Sequence, residues 1–233
     1  MKIWSISDLH LSFLSNKPME VFGGSWENYL EKIIEDWKIK VQEDDLVLIA
    51  GDISWAMKLE ETSEDFKFLS SLPGKKIIIR GNHDYWWNSI SAVRSVLPEN
   101  VFAIQNDAIK FNNVIICGTR GWLVPETTFQ DEQDEKVFKR EVLRLDLTLT
   151  SAKRLQTNNE SIICMMHYPP TNSKREASEF TQLIEKFGVS DVVFGHLHGK
   201  KVRSDLLFVK NGVKYHLTSC DQTDNKLMLI YED

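Results

Sequence analysis

Five of the six histidines in this chain stand just past the end of a short apolar run. KIWSIS leads into Asp8-Leu9-His10, and DLVLIA into Gly51-Asp52. KKIIIR leads into Gly81-Asn82-His83-Asp84, SIICMM into His167, and DVVF into Gly195-His196-Leu197-His198. Imidazole nitrogens mixed with Asp and Asn oxygens, with no thiolate among them, suit a divalent transition metal such as Mn, Fe, Co, Ni or Zn. In an extended segment residues i and i+2 point to the same side. Asp8 and His10 are therefore expected to aim into one site, as are His196 and His198, with Leu9 and Leu197 turned back toward the core. A lone D-x-H or H-x-H pair is common by chance. Five such groups in order, each behind an apolar run, form one constellation.

The elements that position these residues alternate in type. Ile3 to Ile6, Leu46 to Ala50, Ile77 to Ile79, Val114 to Cys117, Ile162 to Met166 and Val192 to Phe194 are strand-length and rich in β-branched residues. Trp26, Leu30, Ile33, Ile34, Trp37 and Val41 follow a helical stripe, and so do Phe138, Val142, Leu145, Leu149 and Ala152. Thr62 with Asp65 reads as a helix start and Gly188 as a stop. The acidic run DEQDEK at 131–136 reads as the first turn of the long helix. Asn211-Gly212 suits a two-residue hairpin turn, and KLMLIY adds a last strand, so mixed sheets are expected. The reading is an α/β chain, with one domain over 1–233, whose strands are covered by helices on both faces. In such sheets ligand sites form beyond the C-terminal strand ends, where these histidines stand.

Composition narrows the partners. Of 233 residues, 42% are hydrophobic and 27% charged, which suits a globular chain. A formal net charge of −6 leaves no basic surplus for a nucleic-acid backbone or an anionic membrane. Cys117, Cys164 and Cys220 are odd in number and widely spaced, so they read as small buried hydrophobes in a reducing compartment. The opening residues reach a charged pair too early for a signal peptide, and no apolar run approaches the ~20 residues of a membrane span. A cytoplasmic location is expected.

The order D-x-H, G-D, G-N-H-D, H, G-H-x-H resembles the calcineurin-like metallophosphoesterase superfamily, over residues 8 to 198. The resemblance implies an αββα sandwich: two mixed β-sheets packed together and flanked by helices. It also implies two divalent ions, with Mn, Fe or Zn the expected metals. Asp8, His10, Asp52 and His198 would hold the first. Asp52 would bridge to the second, which also takes Asn82, His167 and His196. Phosphate monoesters or diesters would then be hydrolysed by attack of a metal-bridging hydroxide, with ions ~3.5–4 Å apart clamping the phosphoryl oxygens. Two carboxylates cancel only half the charge of two divalent ions, which leaves a cationic centre for an anionic substrate. In the family His83 serves the leaving-group oxygen, with Asp84 expected to orient its ring.

Other residues carry less. His216 is read as a strand histidine with an ordinary hydrogen-bond partner. Arg120, behind another apolar run, is a candidate for a substrate phosphate. Trp55, Trp86, Trp87 and Trp122 follow strand ends; packing beneath the loops is the favoured reading and an aromatic rim the alternative. GDISWAM and GNHD depart from the G-D-x-x-D-R and G-N-H-E of phosphoprotein phosphatases. A small or medium phosphate ester is therefore expected rather than a phosphoprotein. The alternatives are a cyclic-nucleotide or other phosphodiesterase, a nuclease, or a metal-binding scaffold without catalysis.

Overall fold

The computed structural model describes residues 1–199 and 204–233. The elements run β1 (Lys2–Ser5), α1 (Tyr29–Lys40), β2 (Leu46–Ile49), α2 (Ser63–Ser71), β3 (Lys75–Ile78), α3 (Ile90–Arg94) and β4 (Val101–Ala103). There follow β5 (Asp107–Phe111), β6 (Val114–Thr119), α4 (Glu132–Leu155), β7 (Ser161–Met166) and α5 (Glu179–Lys186). The chain closes with β8 (Asp191–Phe194), β9 (Leu207–Lys210), β10 (Val213–Leu217) and β11 (Met228–Glu232).

Two mixed sheets result. The first has the order β11-β1-β2-β3-β4, parallel except for β11; the second has the order β5-β6-β7-β8-β10-β9, with β5 and β9 antiparallel at its edges. Their strands read as unbroken apolar runs because both faces are covered. In β2, Leu46 and Leu48 pack between the sheets while Val47 and Ile49 face the helical side. In β7, Ile163 and Met165 join the inter-sheet layer, and Ile162, Cys164 and Met166 pack on the other face. Trp37 of α1 and Phe66 of α2 cover the first sheet; Phe138 and Leu145 of α4 and Phe180 of α5 cover the second. Each fully buried side chain of this kind contributes about 1.5–3 kcal/mol by leaving water. The architecture is the αββα sandwich expected from the sequence.

Local signals fared unevenly. Asp131 caps α4 by accepting from the Gln133 N–H (2.8 Å), ahead of acidic Glu132, Asp134 and Glu135. Gly188, at φ +67°, follows α5 as expected, and Asn211 and Gly212 adopt the paired positive φ of a tight hairpin turn. Thr62 does stand at the start of α2, as expected, but no side-chain cap forms there. Thr62 Oγ1 donates backward to the Leu59 carbonyl, and Asp65 is buried, accepting from the Phe13 N–H and the Ser54 hydroxyl. Asp65 thus ties the loop after β1 to the loop after β2. Cys117, Cys164 and Cys220 are all buried free thiols. No helix among the described residues is long and apolar enough to cross a membrane.

Candidate metal centre

The C-terminal ends of β1, β2, β3, β7 and β8 meet along one edge of the sandwich. Thr218 joins the sheets there: its carbonyl accepts from the Ser7 N–H (2.7 Å), and its N–H donates to Phe194 O (2.8 Å). The loops interlock through backbone bonds, with Asp8 N–H on Gly51 O (3.0 Å), His10 N–H on Asp52 O (3.0 Å) and Gly195 N–H on His167 O (3.1 Å). The chain is not extended here. Asp8, His10, Asp52 and His196 have φ of 60°, 46°, 51° and 70°. These are left-handed turns, which Asp, Asn and His adopt more readily than most residues. The i, i+2 pairs do converge, and Leu9 is buried, but turns rather than strand alternation aim them.

Two half-sites result. Asp8, His10, Asp52 and His198 each offer a ligand atom, all within 4.8 Å of one another, and could hold a metal ion. Within this group His198 Nε2 lies 3.2 Å from Asp8 Oδ1. His10 Nε2 lies 3.8 Å from Asp52 Oδ2. Beside it, Asn82 Oδ1 sits 2.7 Å from His167 Nε2 and 2.9 Å from His196 Nδ1. His167 Nε2 lies 3.5 Å from the same Asp52 Oδ2. Asp52 therefore stands between the two halves, its Oδ1 occupied by the His83 N–H (2.8 Å).

The residues fit metal ions. Asp52 Oδ2 and His10 Nδ1 are buried without a hydrogen-bond partner among the described residues, an arrangement that is costly unless something binds there. Burial, and then Asp8, push the Asp52 carboxyl up to about 8. Burial would raise Asp8 as well, but the neighbouring histidines, His198 foremost, hold it well below the usual carboxylate range. Burial lowers His10 to about 3, His196 to about 4, and His167 as well, which leaves neutral imidazoles with free lone pairs. His198 runs the other way: burial opposes it, but Asp8 and Asp221 raise it to about 10. A cluster of buried carboxyls and neutral imidazoles is the donor set a divalent cation takes.

Asp221 is a residue that the sequence reading missed. Its Oδ1 lies 2.9 Å from His198 Nδ1, and its Oδ2 accepts from the Gly199 N–H (2.8 Å). The signal was present, since Asp221 follows the apolar end of β10 as the other site residues follow theirs.

His83 stands at the mouth, its ring 4.6 Å from Trp55 and 5.7 Å from His10, with Nδ1 unpartnered. Burial, then His167 and His198, lower its pKa. Asp84 does not orient it, contrary to expectation. The fully buried Asp84 carboxylate instead accepts from the N–H groups of Ile53 (2.9 Å), Ser54 (3.2 Å) and Gly81 (2.7 Å) and from Trp86 Nε1 (3.1 Å). It braces the loops that present Asp52 and Asn82.

The glycines before Asp52, Asn82 and His196 have a steric reason. A Cβ on Gly51 would meet His167 Nδ1 at 2.6 Å and Gly81 Cα at 2.8 Å. A Cβ on Gly81 would collide with Asp52, and one on Gly195 with Asp8.

Arg120 turns away from the cluster toward Glu141, at 3.4 Å. Trp86 and Trp87 are buried beneath the loops and Trp122 packs on Tyr168. Trp55 differs: it stacks on His10 (4.8 Å, 19°) and, with Trp26 and Met19, walls a cavity of about 710 Å³ that reaches His83 and His198. His216 is bound to Asp191 (2.9 Å), the ordinary role expected of it.

Comparison with curated proteins found no relative of the chain. Among solved structures it is similar to TT1561 of Thermus thermophilus, with a TM-score of 0.59 and 14% identity, over 98% of this chain and 97% of that one. It is also similar to AQ665 from Aquifex aeolicus, a protein of unknown function, with a TM-score of 0.52 and 13% identity, over 98% and 95% of the two chains. At such identities the likeness concerns the fold. A family model described as calcineurin-like phosphoesterase matches residues 1–200. That match runs through every residue from Asp8 to His198 that the two half-sites bring together, and the chain therefore belongs to the calcineurin-like phosphoesterase family.

Proposed function

We propose that the protein is a dinuclear metal-dependent phosphoesterase that hydrolyses monoesters or diesters of small or medium-sized substrates. The observation that carries this is the unpartnered Asp52 Oδ2, 3.8 Å from His10 and 3.5 Å from His167, shared by two half-sites. Asp8, His10, Asp52 and His198 would hold one ion, and Asp52, Asn82, His167 and His196 the other. Bound divalent ions, Mn, Fe or Zn, supply a hydroxide at neutral pH and a positive clamp for phosphoryl oxygens.

The chain's own groups do the rest. As a neutral ring, His83 offers an N–H to the leaving-group oxygen. Asp221 fixes the tautomer of His198 by accepting from Nδ1, which leaves Nε2 free for the metal. Trp26, Trp55 and Met19 supply an apolar wall beside His83, which favours an aryl or base-bearing ester. The three buried free thiols suit a cytoplasmic setting.

The test is direct. Purified protein reconstituted with manganese should bind two ions per chain and hydrolyse an aryl phosphomonoester or phosphodiester, and a chelator should abolish both. Absence of turnover across a metal and substrate panel, with less than one ion bound per chain, would overturn the reading.

A further inference from the structure

Four arginines share one cavity whose lining includes none of the seven half-site residues. Arg80 ends the segment leading into Gly81, Arg120 follows β6, and Arg140 and Arg144 rise from α4. Together they line a cavity of about 200 Å³. The carboxylate among its lining residues is Glu141, fully buried. One Glu141 oxygen meets Arg144 at 2.7 Å, Arg120 at 3.4 Å and Arg140 at 4.0 Å, and the other oxygen has no hydrogen-bond partner among the described residues. Four guanidiniums against one carboxylate leave an excess of three positive charges, in a chain whose net charge is −6.

Arg140 and Arg144 reach solvent, but part of that excess is buried. The Nε groups of Arg80 and Arg120 are buried without partners among the described residues. Asp84, outside the cavity lining, also acts on Arg80, but its oxygens are committed to Ile53, Ser54, Gly81 and Trp86. Like charges gathered beside buried, unfilled donors raise the free energy of the protein until an anion arrives. Gln105, Asn106 and Thr119 add neutral polar groups to the wall. The volume is below the ~300–1,000 Å³ of sites for drug-sized ligands, so the occupant is a single small oxyanion rather than a nucleotide.

We propose that Arg80, Arg120, Arg140 and Arg144 form a second oxyanion site, separate from the metal centre, that takes one phosphoryl group. Guanidinium forks match its tetrahedral oxygens bidentately. The site shares backbone with the metal centre: the Arg120 carbonyl accepts from the N–H groups of His167 (3.0 Å) and Tyr168 (3.1 Å), and Arg80 is two residues from Asn82. The phosphoryl group comes either from free phosphate or from a second phosphate on the substrate.

Calorimetric titration of inorganic phosphate into the metal-loaded full chain tests the site without reference to turnover. Two phosphates should bind per chain. Arg140→Gln and Arg144→Gln should each weaken one of them about ten- to a hundredfold and leave metal content unchanged. Arg140 is half-exposed, so its replacement keeps the test valid if Arg144→Gln fails to fold. His198→Ala should remove only the other phosphate. A single phosphate that is lost in His198→Ala and unmoved by the arginine variants would overturn this proposal and leave the metal reading standing. A single phosphate that is lost only in the arginine variants would do the reverse. Kinetics separate the sources: a KM rise confined to diphosphate-bearing substrates in Arg140→Gln assigns a substrate subsite, whereas non-competitive modulation of aryl phosphate hydrolysis by phosphate assigns free phosphate.

Discussion

His198 Nδ1 and Asp221 Oδ1 lie 2.9 Å apart, which fixes the ring so that its other nitrogen faces Asp8. Asp221→Ala should free the ring and lower metal affinity about 10–100-fold, the usual effect of losing such a partner. Turnover should recover at high manganese. A titration of activity against metal concentration checks this, and an unchanged metal dependence would show that Asp221 only fills space.

His83→Ala should leave both metals bound, because none of the close contacts within the two half-sites uses its ring. Turnover should fall about 10²–10⁴-fold for a poor leaving group, the common worth of a proton donor. The loss should shrink for an acidic aryl leaving group. Metal analysis beside a leaving-group series reads both effects, and a variant that lost metal would place His83 among the ligands.

Asp84→Ala should behave differently from His83→Ala. It strands four buried donors from two loops, at about 1–3 kcal/mol for each unsatisfied group. The expected result is a lower Tm together with lost metal, since Asp52 and Asn82 sit on the loops released. A protein with native Tm and metal content but low turnover would restore the direct catalytic role.

Lys76 gives a pH test away from the site. Its fully buried ammonium donates to the carbonyls of Leu72 and Gly74, and burial lowers its pKa to about 8 from an ordinary 10.5. Between those values the unfolded chain binds more protons than the folded one, so this residue's contribution to stability rises with pH. Below pH 8 the buried charge is a full cost. Lys76→Met should therefore gain stability relative to wild type at pH 7.5, with the advantage shrinking toward pH 10.5. Urea unfolding of both proteins at the two pH values isolates the effect from other titrating groups.

The fold was legible where strands are covered on both faces. LVLI, IICMM within β7 and VVF within β8 are apolar without interruption because helices lie on one side and the other sheet on the opposite side. β4, three residues long, and β5, DAIKF, escaped notice: both are edge strands with incomplete burial, and neither period stands out. At the site, the residue types were local information and could be read. What those residues touch could not. The donors to Asp84 come from as far as 31 positions away, and the partner of Asp221 lies 23 positions back. The i, i+2 pairing reached the right convergence by the wrong route, since left-handed turns leave no period in a sequence. The volume and charge of the arginine cavity depend on α4 packing against β5 and β6 beside the residue that follows β3, which no spacing along the chain records.

The first strand lies between β2 and β11, and the Thr218–Cys220 segment carries the bonds that seat Ser7 beside the second sheet. All seven residues of the two half-sites precede residue 199. Their convergence nevertheless waits on a segment some twenty residues later, and on the strand that closes the sheet beyond it. A chain cut after residue 199 would therefore carry all seven side chains and lack the Thr218 and Cys220 backbone that holds Ser7, so truncation there should scatter the ligands without deleting one.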